Sequence, residues 1–315
     1  CNLVVFPHLA KADAANTQRE FRTAFIAGLA LLAPVVAAQA LLAPFYVPVV
    51  FGETWVPAVP FIALLSLAAL TAQARPVRSG KVEAELVSGS RSVRFGETVT
   101  VALRMKMDAT WHSYWLNPGE AGASIKVVWN LPEGFKAGAL QFPVPHRFAG
   151  SGLVGFGYEN EVFLFTDIVV PQELTAKTVT LKASVSWLVC DPSQCFPGRT
   201  SLSLTLPLMN EAPKANSWNK KLIEAHKLIP REVPGAKVNI ARDKEDWVIT
   251  LQLPKEWQGF PSNPQFFPEN RNFADLGAEA QFKDTEGGFE IRVAVSPEAE
   301  ELKNPVRFVF AGMKR

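Results

Sequence analysis

Hydrophobic and polar positions follow two different regimes along this chain. From Thr23 to Gly52 there is no charged residue, and from Thr54 to Ala74 there is none again. Each run exceeds the roughly 20 residues that a helix needs to cross the hydrocarbon core of a bilayer. Two such runs in succession do not suit the core of a soluble domain, so residues 1–74 read as a hydrophobic transmembrane or signal-like segment. Where it is retained, residues 23–74 would contact a membrane. Pro34, Pro44, Pro48, Pro57 and Pro60 would kink or break its helices.

From residue 75 the pattern changes to short alternating stretches. Val99, Val101 and Leu103 share one face of a predicted strand; Val179, Leu181, Ala183, Val185 and Trp187 share another; Leu202, Leu204, Leu206 and Leu208 share a third. Turn signals separate such stretches at 118–120, 132–134, 150–152 and 197–198. Short strands at this spacing predict an antiparallel sandwich of immunoglobulin type over 75–209. Residues 207–217 are polar and proline-bearing and mark a boundary. Ser217 is then expected to cap a helix over 218–228, with Trp218, Leu222, Ala225 and Leu228 on a shared side. Further strands are expected at 247–253, 277–283, 289–295 and 306–310, which makes 210–315 a second β-sandwich serving as spacer or docking surface. The predicted fold class is therefore mainly β: two immunoglobulin-like antiparallel β-sandwich domains preceded by a hydrophobic helical membrane or signal segment.

Composition narrows the functions. Apolar residues make up 48% of the 315 and charged ones 20%, which excludes an intrinsically disordered chain. The 32 basic and 30 acidic side chains nearly cancel, so no electrostatic field would collect nucleic acid. No strand–helix alternation or glycine-rich phosphate loop points to a nucleotide-binding α/β domain, and no cofactor is expected. Three cysteines and four scattered histidines offer no metal-ligand spacing, so no metal is expected either.

Within the first 74 residues, F-P-H-L-A-K at 6–11 and V-V-F-G-E-T-W-V-P-A-V-P at 49–60 resemble the late transmembrane region of polysaccharide flippases. Two helices cannot form such a transport path, and no transport is expected. Phe61–Leu70 also has the length of a signal-peptide hydrophobic region, followed by the A-x-A cleavage pattern Ala72-Gln73-Ala74. The expectation is that residues 1–60 are the tail of one reading frame joined to the export signal of another. Basic residues at 11, 19 and 22 and again at 75, 78 and 81 argue the other way, since the positive-inside rule would keep both flanks in the cytoplasm. The cleavage pattern is preferred over the charge count.

One cysteine pair carries candidate chemistry. Cys190 and Cys195 stand in W-L-V-C-D-P-S-Q-C-F-P-G, at the end of a long apolar strand, where Asp191-Pro192 can turn the chain back. Such a disulfide is either a hairpin staple or an exchangeable pair. A loop this short constrains the unfolded chain weakly, which suits a bond that opens and closes. Zinc lacks a second pair or a nearby histidine to complete four ligands.

The surrounding motifs extend the reading. W-H-S-Y-W-L-N-P-G-E at 111–120, V-W-N-L-P at 128–132, F-P-V-P at 142–145, G-Y-E at 157–159, the cysteine segment and Phe266-Phe267-Pro268-Glu269 occur in order. This series resembles the N-terminal periplasmic domain of the DsbD-type thiol:disulfide interchange reductases, in particular their ScsB-like branch, over residues 75–315. The resemblance implies an oxidoreductase module with an immunoglobulin-like fold in the periplasm of a Gram-negative-type envelope, inner-membrane anchored if the leading segment stays. It would relay electrons from a membrane-embedded donor domain, or a thioredoxin-like protein, to disulfides of periplasmic client proteins, a traffic that also serves cytochrome c biogenesis. Cys195 would then meet the partner and Cys190 resolve, while Phe156, with Tyr158, would form the cap that gates access. The pair departs from the five intervening residues of the best-known members, Glu120 stands where Asp is more usual, and no eight-helix electron-carrying domain or thioredoxin-like domain lies in the sequence. The alternative is a non-catalytic envelope binding or structural protein with a structural disulfide.

Other residues weigh less. His112, between Trp111 and Tyr114, reads as a packing or hydrogen-bonding histidine. His8, His146 and His226 lack cysteine or carboxylate company, Ser113 has no nucleophile-elbow context, Glu298, Glu300 and Glu301 read as a solvated turn, and Cys1 has no lipobox before it.

Overall fold

The computed structural model describes residue 45 and residues 76–150, 152–173, 175–255, 262–299 and 306–313. The expectations for the flippase-like run, the signal-like region and its cleavage pattern lie outside the described residues, as do Glu300 and Glu301. Among the described residues no helix is long and apolar enough to cross a membrane. Residues 74–315 form one compact unit, and it is mainly β.

Two sheets enclose the principal core. The first contains β1 (Val77–Ser79), β2 (Val82–Ser88), β4 (Thr98–Met107), β7 (Lys136–Ala137) and β10 (Glu161–Val169), in the order β1-β2-β4-β10-β7. The second contains β3 (Val93–Arg94), β5 (His112–Gly119), β6 (Lys126–Asn130), β8 (His146–Gly150), β9 (Leu153–Glu159), β11 (Thr178–Cys190) and β12 (Cys195–Met209), in the order β3-β12-β11-β5-β9-β8 with β6 also on β11. The alternating residues expected to share faces do so: Val179, Leu181, Ala183, Val185 and Trp187 of β11 and Leu202, Leu204, Leu206 and Leu208 of β12 are all buried in one cluster. Val82, Leu86, Val101, Leu103, Met105 and Leu164 of the first sheet join the same cluster. Period-two alternation thus selects which side chains leave water, each burial being worth about 1.5–3 kcal/mol.

The helix α1 (Asn219–His226) covers the outer side of the first sheet. Leu222 packs there with Val87, Ala102, Phe163 and Phe165, and Trp218, Ala225 and Ile229 adjoin them. With core on one side and helix on the other, Val162 to Thr166 are buried without a break. The helix is shorter than expected, and Ser217 does not cap it. Asn216 does the related work instead, accepting a hydrogen bond from Trp218 N–H on Oδ1 (2.9 Å).

A second correction concerns Pro197-Gly198, which lies inside β12 rather than at a turn: Pro197 pairs with Leu188 and Gly198 with Trp187. Among the described residues only β11 pairs with β12 at this level, because β3 joins it no earlier than Leu208, so a proline without an N–H is tolerated on the other side. Glycine is required beside it, since a Cβ at 198 would stand 2.3 Å from the Trp187 ring.

Beyond residue 236, β13 (Lys237–Asp243), β14 (Asp246–Gln252), β16 (Gln281–Thr285) and β17 (Gly288–Ala294) form a sheet in the order β13-β14-β17-β16. β15 (Ser262–Pro268) pairs with β18 (Phe308–Met313). Trp247, Ile249, Phe273, Phe289 and Ile291 make a separate core there. Phe267 does not belong to it. That ring is buried in the principal core, 6.1 Å from Trp115 and 5.2 Å from Phe156, and Asn117 Nδ2 donates to the Pro268 carbonyl beside it (2.8 Å).

Candidate functional site: a strand-end disulfide

Cys190 is the last residue of β11 and Cys195 the first of β12, and they face each other in register with a Cα–Cα separation of 4.0 Å. They are joined as a disulfide. Between them, the Asp191 carboxylate organises the reversal: its Oδ1 accepts from Ser193 N–H (2.8 Å), Ser193 O–H (2.7 Å) and Gln194 N–H (2.9 Å). These hydrogen bonds, those from Ser193 foremost, hold the Asp191 carboxyl below the usual carboxylate range.

The two sulfurs have unequal surroundings. Cys190 is 3% exposed, whereas Cys195 lies among the exposed residues of the turn and the start of β12. Of the two, Cys195 is the residue that solvent reaches. Phe196, next to Cys195, is 44% exposed and leans on Trp111 with ring centroids 5.5 Å apart.

Register decides which other side chains stand on the cysteines' side of the sheet. Cys190 pairs with His112, and His112 pairs with Glu159. One residue further, Val189, Ser113 and Tyr158 form the next row and point to the core. The motif W-H-S-Y-W-L-N-P-G-E is thus split by the pleat. Trp111, Ser113 and Trp115 enter the core, while His112 and Tyr114 join the cysteines' face. Phe148, opposite Gly155, completes an aromatic group there: its ring lies 4.2 Å from His112 and 5.9 Å from Tyr114. His112 Nε2 and Tyr114 Oη are 3.3 Å apart. Burial, opposed by Glu159 and Asp191, keeps the half-buried His112 below the usual histidine range, and burial raises the Tyr114 phenol.

Phe156 and Tyr158 lie on the other face. Phe156 is 2% exposed, edge-on to Trp115 and Phe267, and Tyr158 is 4% exposed with its hydroxyl donating to the Pro143 carbonyl (2.7 Å). Their side chains are core, on the side of the sheet away from the pair. The aromatic residue on the pair's side that sequence reasoning missed is Phe148; its signal was parity with the glycines at 155 and 157, which leave room on that face.

A disulfide at the turn end of a β hairpin, with one cysteine exposed and one buried, marks a β-rich domain with a thiol–disulfide pair. Residues 83–207 match the family model of thiol:disulfide interchange protein DsbD, N-terminal, and this stretch is a DsbD-type N-terminal domain. Among solved structures, the N-terminal periplasmic domain of ScsB from Proteus mirabilis has a TM-score of 0.54 at 17% identity, with 74% of this chain and 89% of that chain covered, a likeness of fold. The sporulation control protein Spo0M from Bacillus subtilis has a TM-score of 0.20 at 11% identity over 55% of this chain and 79% of that one. A family 123 glycoside hydrolase from Clostridium perfringens also scores 0.20, at 8% identity over 39% and 27%. Scores of 0.20 carry no weight for the fold. A search of the curated proteins found no match.

Proposed function

We propose that this chain is a periplasmic thiol–disulfide exchange module that passes electrons from a membrane reductase, or a thioredoxin-like carrier, to disulfides of envelope proteins. The observation that carries the reading is the asymmetry of the pair, with Cys195 exposed and Cys190 buried. In the forward direction the Cys195 thiolate attacks a client disulfide and expels one client thiolate. Cys190 then attacks Cys195 Sγ, expels the second client thiolate and closes the Cys190–Cys195 bond, so two electrons have moved to the client. Residues 75–209 are proposed as the immunoglobulin-like redox domain, 210–315 as a second sandwich bracing it, and 1–74 as the membrane or signal segment. Phe148, with His112 and Tyr114, takes the shielding place that the family resemblance assigns to an aromatic cap.

The test is the equilibrium reduction potential of the pair in the full chain, set against a thiol redox buffer and read by alkylation. A value above about −300 mV places the bond among exchangeable disulfides, and a value well below it makes the bond a staple and the protein a structural envelope domain. Cys190→Ser is expected to accumulate a mixed disulfide on Cys195 with a client peptide, whereas Cys195→Ser forms none; a staple would give neither.

A further inference from the structure

The resolving step has a chemical difficulty that the pair alone does not solve. Cys190 is buried, and burial in apolar surroundings disfavours a thiolate, which is the attacking species. A proton must leave the thiol where bulk water has little access. The cross-strand neighbour of Cys190 is His112, with the Cβ atoms of such directly opposed residues about 4.5–5.5 Å apart. Resting on the exchange reading above, we propose that His112 is the proton acceptor for the Cys190 thiol in the step that resolves the mixed disulfide.

The surroundings of His112 fit that role. Tyr114 Oη lies within hydrogen-bonding distance of Nε2; with Nε2–H donating to it, the lone pair of Nδ1 is free to accept, and among the described residues Nδ1 has no hydrogen-bond partner. Phe148 packs against the ring and fixes its plane. The charged and titratable groups around the imidazole are few. Glu159 stands across β9, Asp191 follows Cys190 at the end of β11, Tyr114 lies two residues along β5, and β8 brings the exposed His146 opposite Gly157 in the next row. Glu159 and Asp191 favour the imidazolium once it forms, while burial keeps the resting ring neutral at pH 7. The step balances: the thiol proton passes to the imidazole, the Cys190 thiolate attacks Cys195 Sγ, the bond from Cys195 to the client sulfur breaks, and the client thiolate departs with its electron pair. The imidazolium then returns its proton to that thiolate or to water.

Rapid mixing of the reduced full chain with the aromatic disulfide dithiobis-nitrobenzoate tests it, with Cys1→Ser removing the remaining thiol. Attack by Cys195 releases one coloured thiolate in a phase proportional to reagent. Resolution by Cys190 releases the second in a phase independent of it. In the wild-type protein the second phase should rise with pH as His112 loses its proton and then level off near neutrality. His112→Gln should slow it at pH 7 by about 100-fold relative to the first phase of the same variant, and turn the plateau into a climb of about tenfold per pH unit. His112→Ala should regain rate when imidazole is added to the buffer, and His112→Phe, which fills the same space, should not. A second phase of unchanged rate and unchanged pH profile in both the Gln and Ala variants overturns the role of His112. If the wild-type protein shows no first phase at all, the exchange reading itself falls, which is a separate and recognisable result.

Discussion

At position 157 a Cβ would lie 1.8 Å from the Ser113 carbonyl oxygen and 3.0 Å from Tyr114 Cα. Gly157 lets β9 close onto β5 directly beneath the row that holds His112 and Cys190, and no rotamer relieves a contact made by Cβ itself. Gly157→Ala is expected to cost at least the 1–3 kcal/mol typical of overpacking, since the obstruction is backbone, and to disturb the exchange phases as well. Urea denaturation followed by tryptophan fluorescence measures the first. His112 carries a further expectation. Its folded pKa is lowered from 6.5, so as pH falls through about 6.5 the unfolded chain binds the proton first and stability declines until the folded ring also protonates. His112→Phe should remove that part of the decline, seen as a smaller drop in Tm between about pH 7.5 and pH 5 than in the wild type.

Among the elements, α1 is tied to the sheet beneath it by charge as well as by apolar contact. Arg104 on β4 reaches Glu83 (2.9 Å), Glu85 (2.6 Å) and Glu161 (2.7 Å), Lys221 on the helix reaches Glu161 (2.6 Å), and the Trp218 ring lies over the Arg104 guanidinium. Burial acts against both the Arg104 and Glu161 charges, and the hydrogen bonds outweigh it, so the guanidinium stays charged and Glu161 is held below its usual value of 4.5. A depressed carboxyl stabilises the fold above its unfolded pKa and loses that contribution as pH falls through the folded one. Glu161→Gln is therefore expected to lower stability at pH 7 by about 1–3 kcal/mol, with the deficit shrinking below about pH 4.5, as paired denaturation curves at the two acidities would reveal.

The same elements show what alternation can and cannot tell a reader of the sequence. β11 and β12 are legible because one face is buried and the other wet along most of their length. The middle of β10 is not, because a helix distant in sequence covers its outer face and erases the polar positions. β3 and β7 are two residues each, too short for any period. Pro197-Gly198 carries the composition of a turn, yet it sits where, among the described residues, only β11 pairs with the strand and a tryptophan ring needs space. At the site, the cysteine pair and the neighbouring motifs are visible in the sequence. Which aromatics share the cysteines' side depends on register between β5, β8 and β9, and a one-residue change in register would exchange Phe156 for its neighbours.

In the molecule as a whole, the two β regions are coupled through Phe267. The W-L-N-P stretch of β5 leaves regular pairing with β9 between Tyr114 and Gly119, and the strand carrying Phe267 meets it there. Arg271 donates to the Glu120 carbonyl, and Arg147 to that of Leu276 (3.1 Å), on either side. Phe267→Ala should cost about 3–5 kcal/mol and leave unfolding a single transition, because the cavity opens in a core that both regions share. Calorimetry that resolved two transitions in the wild type would contradict that coupling.

The unequal exposure of the two sulfurs bears on stereochemical bookkeeping of a different sort. Any reagent or protein that opens this disulfide from outside has one electrophilic atom to choose, so every covalent adduct should be the same regioisomer, with the visitor on Cys195 and the free thiol on Cys190. A population of trapped complexes would then be chemically uniform, and tryptic mapping of the linked peptides would find a single junction.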